Sequence, residues 1–259
     1  MSTQDYEYRG LMASTWDLWR DDSSRWSDAV LYHEIVLRYG QPVLDVGCGT
    51  GRIVLDFLAD DIDIDGVDNS PEMLAICREK AQNRGLSPNL YQQAMESLAL
   101  PRRYRTILVP SSTFQLVTDR EAAVAAMGRV FAHLLPGGAL IMSFGNIYQP
   151  EWPLQTDWEL VFEKLRPGDG ATVRRLTRER FSPEHQLWHS EDRYEAEQNG
   201  SLIASEDHQR SPAGRWYTQP QAAQLYRDAG FGDVQLLCCD AQIPPAPDAA
   251  SFCVLGVKP

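Results

Sequence analysis

Val43-Leu44-Asp45-Val46-Gly47-Cys48-Gly49-Thr50-Gly51 is the stretch on which the reading of this chain turns. Residues of buried-strand character run into three glycines at alternate positions. Ile53, Val54, Phe57 and Leu58 then recur at helical spacing. A strand that passes through glycines into a helix leaves unpaired N–H groups at the helix start. Glycine also takes positive φ and lets a ligand approach the backbone closely. The spacing is G-x-G-x-G, with Asp45 two residues before the first glycine. A dinucleotide fingerprint would place its third glycine where Arg52 stands, and a P-loop would need Lys-Ser/Thr where Arg52-Ile53 stand. A turn of purely structural purpose rarely uses three glycines beside an acid.

Outward from this turn, strand and helix signals alternate. Asp61 to Val67 reads as a second strand, and Ser70-Pro71 opens a helix that stops near Gly85. Asn89-Leu90-Tyr91 is a weaker strand signal, and Tyr104 to Val109 a clear one. Val124, Met127, Val130, Phe131 and Leu134 predict one helix face, closed by Pro136-Gly137-Gly138. Ala139 to Phe144 is the next strand. This order predicts an α/β, Rossmann-like, doubly wound and mostly parallel sheet. Ligands in such sheets bind beyond the carboxyl ends of the strands, so the loops after Val46, Val67, Val109 and Phe144 carry the expected site. Asp68, in Gly66-Val67-Asp68-Asn69-Ser70, ends the second strand beside the glycine turn. A carboxylate there can accept both hydroxyls of a ribose; it can also simply cap a helix.

Leu44 to Arg52, together with Gly66 to Leu74, resembles the class I S-adenosylmethionine-dependent methyltransferases. The resemblance covers residues 40–145 and extends to Trp216 through Val257. It implies a seven-stranded sheet with an antiparallel last strand, S-adenosyl-L-methionine as cofactor, and a methyltransferase activity. By this resemblance Gly47, Cys48, Gly49 and Gly51 pack against the methionine part of the cofactor. Asp45 supports the amino acid end, Asp68 with Asn69 binds the ribose, and Met73 lies near the adenine or ribose; Pro110 belongs to the same set. Relatives often carry an acid where Met95 stands. Either Glu96 replaces it, or Met95 gives only backbone and van der Waals contact.

The acceptor is argued from what is missing. The loop Val109-Pro110-Ser111-Ser112-Thr113-Phe114-Gln115 lacks the Asn/Asp-Pro-Pro-Tyr/Phe pattern of base-amine methyltransferases, and no cysteine follows Pro110. The 259 residues carry a formal charge of −12, which repels phosphate backbones. The expected reaction is therefore direct in-line displacement onto an N or O nucleophile of a small molecule, without nucleic acid. A protein or RNA methyltransferase, or a non-catalytic S-adenosylmethionine-binding protein, is the alternative. An exposed basic face around Arg174, Arg175, Arg178 and Arg180 would favour the macromolecule.

The remaining regions divide as a helical cap over 1–40, the methyltransferase domain over 41–146 and 216–259, and an antiparallel β insertion over 147–215. In the insertion Ala171 to Phe181, Gln186 to Ala196 and Ser201 to Gln209 read as strands, with Asn199-Gly200 as a tight hairpin. The N-terminal segment, with Tyr6, Tyr8, Trp16, Trp19 and Trp26, is either a packed cap or a lid. Trp16, Trp19, Ser112, Phe114 and Tyr148 are the expected acceptor-binding residues. Trp152, Trp158 and Trp188 belong to segments that can cover the site, as packing or as a cation–π surface. No catalytic base emerges: His133 and His33 read as surface residues, and His189 and His208 face a pocket or solvent. The five cysteines form no C-x-x-C pair, so reduced thiols in the cytoplasm and no metal site are expected. With no apolar run near ~20 residues, no membrane span is expected. The first ten residues show no secretory signal, and a homodimer is left open.

Overall fold

In the computed structural model residues 8–19, 27–145 and 147–259 are described; Tyr6 and Trp26 lie outside the described residues. Three N-terminal helices, α1 Gly10–Ser14, α2 Trp16–Trp19 and α3 Ser27–Tyr39, precede the sheet. The alternating unit follows: β1 Val43–Val46, α4 Arg52–Ala59, β2 Ile64–Asp68, α5 Pro71–Asn83, β3 Asn89–Gln92, β4 Tyr104–Val109, α6 Arg120–His133 and β5 Leu134–Gly145. An insertion of four strands comes next: β6 Glu159–Leu165, β7 Thr172–Ser182, β8 Leu187–Gln198 and β9 Ser201–Arg215. The chain returns through α7 Gln219–Asp228, β10 Gly232–Leu237 and β11 Ser251–Val257.

The main sheet has seven strands in the order β10-β11-β5-β4-β1-β2-β3. β11 runs antiparallel to both neighbours, and β1 to β5 pair in parallel. Alternation along the strands sends side chains to two cores. Leu44, Leu140, Met142, Phe144, Phe252 and Val254 pack with α6 and α7. Val43, Ala139, Ile141, Cys253 and Leu255 pack with α3, α4 and α5. Burial on both faces explains why the strands read as continuous apolar runs. Each fully buried large side chain contributes roughly 1.5–3 kcal/mol. The edge of this packing is tight. Tyr226 donates its hydroxyl to Val254 O at 2.7 Å, and a Cβ on Gly256 would stand 2.5 Å from the Tyr226 ring.

Helix starts follow the caps in the sequence. Ser70 accepts from Met73 N ahead of Pro71, and Asp119 accepts from Ala122 N. Thr218 and Gln221 form a reciprocal capping box at α7. The Asn199-Gly200 turn has both residues at positive φ, 53° and 75°, as a two-residue hairpin requires.

Two features depart from expectation. The insertion is a four-stranded antiparallel sheet, β6-β7-β8-β9, where three strands were expected. β6 carries Leu160, Val161 and Phe162 in succession, and its register shifts between Leu160 and Phe162, so the bulge erases the alternation that marks a strand. On α6, Val124 is 66% exposed; the buried stripe is Ala123, Ala126, Met127 and Val130. Small alanines seat the helix against the sheet and leave the larger Val124 outside. No described helix is long and apolar enough to cross a membrane.

Candidate active site

The turn after β1 is fastened to the end of β2 by backbone. Gly47 N and Cys48 N both donate to Val67 O, at 2.8 and 3.0 Å. Gly47 sits at φ +73°, and a Cβ there would stand 2.3 Å from Thr113 Cγ2. Gly51, at φ +88°, would place a Cβ 2.5 Å from Cys77 Sγ. Left-handed backbone and close neighbours together require glycine at these positions.

Asp68 completes the fastening. Its Oδ2 accepts from Gly49 N at 2.9 Å, and its Oδ1 accepts from Ser70 N at 2.8 Å. Burial raises its pKa, while the N–H groups of Ser70, Gly49 and Asn69 oppose the rise. A carboxylate has about four lone-pair sites, so these N–H groups leave acceptor capacity for a ligand hydroxyl. Asp45 is different. It is fully buried, its Oδ1 has no partner, and burial pushes its carboxyl up to about 7 against the pull of Arg52. Arg52 itself holds Asp28 of α3 through two hydrogen bonds of 2.8 and 2.9 Å.

The N-terminal helices close one side of the site. Ser70 Oγ donates to Tyr8 O at 2.5 Å, and Gly10 N donates to Glu72 at 2.6 Å. Thr50 in the glycine turn donates its hydroxyl to Asp17 at 2.7 Å. On the other side Leu11 N donates to Glu206 of β9 at 2.7 Å, and Leu11 and Met12 pack with Phe162, Val173 and Tyr194. The segment therefore bridges the nucleotide-type turn and the insertion sheet.

Between these parts lies a cavity of about 1730 Å³. Asp45, Gly47, Cys48, Gly49, Gly51, Asp68, Asn69, Met73, Met95, Glu96 and Pro110 all line it, and so do Trp16, Trp19 and Ser112. Met95 is buried, whereas Glu96 is exposed at the rim. Phe114 does not line the cavity. It is fully buried and packs against Phe144 and Tyr217 in the core. Tyr148 does not line it either; it packs against Phe181 and Trp216. Both lie on the loops expected to carry the site, but their rings turn into neighbouring hydrophobic clusters.

His133 is buried, contrary to the surface position expected. Its Nε2 accepts from Leu100 N at 2.9 Å and its Nδ1 donates to Arg129 O at 2.7 Å, so both ring nitrogens are engaged structurally. His33 meets Phe57 edge-on and lines the cavity. His208 is buried against Tyr194 and Glu206, and His189 bonds Ser211. The suggested basic face divides by strand alternation. Arg175 faces the cavity and binds Asp192, whereas Arg174 meets Glu163 and Glu197, and Arg178 meets Glu191.

The inner face of the insertion joins Arg175 and His208, which the sequence singled out, to residues that it did not. Cross-strand register sets Arg175, Thr177 and Glu179 of β7 beside Tyr194, Asp192 and Ser190 of β8. Glu206, His208 and Arg210 of β9 continue the three rows. Their signal in the sequence is period-two alternation of polar residues on β7 and β8, visible only once the pairing register is known.

Comparison with known proteins follows this geometry. Residues 43–138 match the family model of the methyltransferase domain. A ubiquinone/menaquinone biosynthesis C-methyltransferase of Erwinia tasmaniensis is 35% identical over 143 residues, covering 53% of this chain and 55% of that protein. The chain spans about half the length of the curated relatives it matches. Among solved structures, the CcbJ methyltransferase of Streptomyces caelestis superposes with a TM-score of 0.77 at 19% identity, over 98% of both chains. The sugar N-methyltransferase KedS8 of Streptoalloteichus sp. gives 0.71 at 21% identity, over 100% of this chain and 98% of that one. Residues 43–138 are thus a methyltransferase domain, and the chain as a whole has the fold of the solved S-adenosylmethionine-dependent methyltransferases.

Proposed function

We propose that this chain binds S-adenosylmethionine at the carboxyl ends of β1, β2 and β4 and methylates a small molecule held beneath the insertion sheet. The observation that carries this reading is the single cavity running from Asp45 and the glycine turn to the inner face of β7 and β8. The residues present fit the cofactor. The open Asp45 Oδ1 is an acceptor for a cationic amino group, and a buried carboxylate with no partner gains most from one. Asp68, already held by two backbone N–H groups, presents its remaining lone pairs to ribose hydroxyls. Met73 and Met95 give apolar contact suited to an adenine ring. Met95 then takes the place of a hydrogen-bonding acid.

The bound sulfonium supplies an activated methyl group, so the protein needs chiefly to align the acceptor and exclude water. Trp16 and Trp19 on α2 cover the cavity, and the insertion sheet walls its far side. Support for a small acceptor comes from the enclosure and from the paired outer arginines, which leave no uncompensated Arg174 or Arg178 to meet phosphate. The solved neighbours also include a sugar N-methyltransferase and an amino pentose methyltransferase.

Incubation with methyl-labelled S-adenosylmethionine and a small-molecule library tests the reading. Labelled small-molecule product, lost in Trp16→Ala with cofactor affinity kept, is expected. Label found only on protein or RNA overturns it.

A further inference from the structure

The inner face of the insertion forms a three-by-three grid of polar side chains. Its rows are Arg175–Tyr194–Glu206, Thr177–Asp192–His208 and Glu179–Ser190–Arg210. Most of the grid is satisfied internally. Asp192 is fully buried and accepts from Arg175 at 2.7 Å, Arg210 at 2.9 Å and Ser190 at 2.9 Å. Glu206 accepts from Leu11 N and meets His208.

Glu179 is the exception. Its backbone pairs with Thr156, but its carboxylate has no hydrogen bond or ion pair among the described residues. It lines the cavity and is half-buried. The neighbouring Thr177 Oγ1 is buried without a partner. Among the described residues, two arginines face three carboxylates on this surface. Both arginines bond Asp192, and neither bonds the Glu179 carboxylate. Burial pushes its carboxyl up; Asp192 adds to the rise, Arg175 and Arg210 oppose it, and Glu159 adds again. A partly desolvated carboxylate without a partner is costly, and a cation beside it removes the cost. Trp188, two residues before Ser190 on β8, and Trp152 line the same cavity, and aromatic rings there can add attraction for a cation.

We infer that Glu179, with the Thr177 hydroxyl beside it, is the binding site for a positively charged amine on the methyl acceptor. The acceptors are then amine-bearing small molecules, a substrate class narrower than the proposed function on which this inference rests. A neutral hydroxyl in the same place leaves the carboxylate uncompensated, and sites built around a polar partner discriminate strongly against analogues that lack it.

Matched probes test this on the full chain saturated with S-adenosylhomocysteine. Cyclohexylamine, benzylamine and glucosamine are each compared with cyclohexanol, benzyl alcohol and glucose by ligand-observed NMR at neutral pH. At least one amine is expected to bind about tenfold or more tightly than its hydroxyl counterpart. Glu179→Gln should erase that preference, Glu179→Asp should keep part of it, and Arg178→Ala on the opposite face of β7 should keep all of it. Affinity for S-adenosylhomocysteine, read on the same samples, should stay within about twofold in every variant. If no amine outbinds its counterpart, or the preference survives in Glu179→Gln, the anchor is wrong while the methyltransferase reading stands. Failure of the unaltered chain to bind S-adenosylhomocysteine defeats both.

Discussion

Asp45 and Asp192 are both buried carboxylates lining or bordering one cavity, and they behave in opposite ways. Asp45, at the glycine turn, has an oxygen with no partner, and burial carries its pKa up to about 7. Asp192, on the insertion sheet, is also penalised by burial, but Arg210, Arg175 and the Ser190 hydroxyl hold it below the usual carboxylate range. One carboxylate is left open by the fold, and the other is closed by it. The difference separates a ligand-facing position from a structural anchor more sharply than burial alone. The two ends of the site are also built differently. The end proposed to hold the cofactor is made of backbone, a glycine turn latched to Val67 and Asp68. The insertion end is made of side chains matched across three strands.

The largest effect is expected at the backbone-built end. Gly49 sits at φ +54°, and a Cβ there already comes within 3.3 Å of Met73 Cε. A β-branched side chain at positive φ is strained in addition. Gly49→Val should weaken S-adenosylhomocysteine binding beyond about 1 mM by calorimetry. Retained micromolar affinity would show that the turn tolerates bulk and is not the ligand cradle.

At the side-chain-built end, Asp192→Ala strands two guanidiniums on a buried face. It should cost about 3–5 kcal/mol in denaturant unfolding while leaving cofactor affinity nearly intact. Loss of cofactor affinity with unchanged stability would invert the comparison.

The two carboxylates also give stability opposite pH dependences. For Asp45 the folded pKa lies above the unfolded one, so the folded state holds the proton between about pH 4 and 7. Stability therefore falls as pH rises through that window, by at most ~4 kcal/mol. Asp45→Asn should remove the fall. For Asp192 the folded pKa is depressed, so its contribution is present above the unfolded value near 3.9 and is lost as pH drops through the folded value. Unfolding followed from pH 4 to 8 in the unaltered chain and in Asp45→Asn checks the Asp45 half. A wild-type curve that rises with pH relative to Asp45→Asn would refute the assignment.

Legibility in the sequence follows the same division. Strands β1, β2, β4 and β5 were readable because burial on both faces makes them apolar runs, and Ser70-Pro71 and Thr218 announce their helices. The glycine turn was readable because backbone geometry demands glycine at fixed spacing. β6 was hidden by its bulge, and His133 by a hydrogen bond to Leu100 that joins positions 33 residues apart. Phe114 and Tyr148 were expected in the acceptor site but turn away from the cavity, because which way a ring turns depends on partners such as Phe144 and Trp216. Glu179 was invisible for the same reason. Its significance lies in what its neighbours on β8 and β9 leave unpaired.

The smallest of these effects belongs to Asp68, whose proposed hydroxyl-accepting role would be worth about 1–3 kcal/mol, and it also gives the most direct test. Isothermal titration of S-adenosylhomocysteine into the unaltered chain and into Asp68→Ala, with circular dichroism confirming the fold, reads the central claim. The account predicts saturable one-to-one binding to the unaltered chain and affinity lowered about 5- to 150-fold in the variant. No binding by the folded, unaltered chain at millimolar ligand would contradict it.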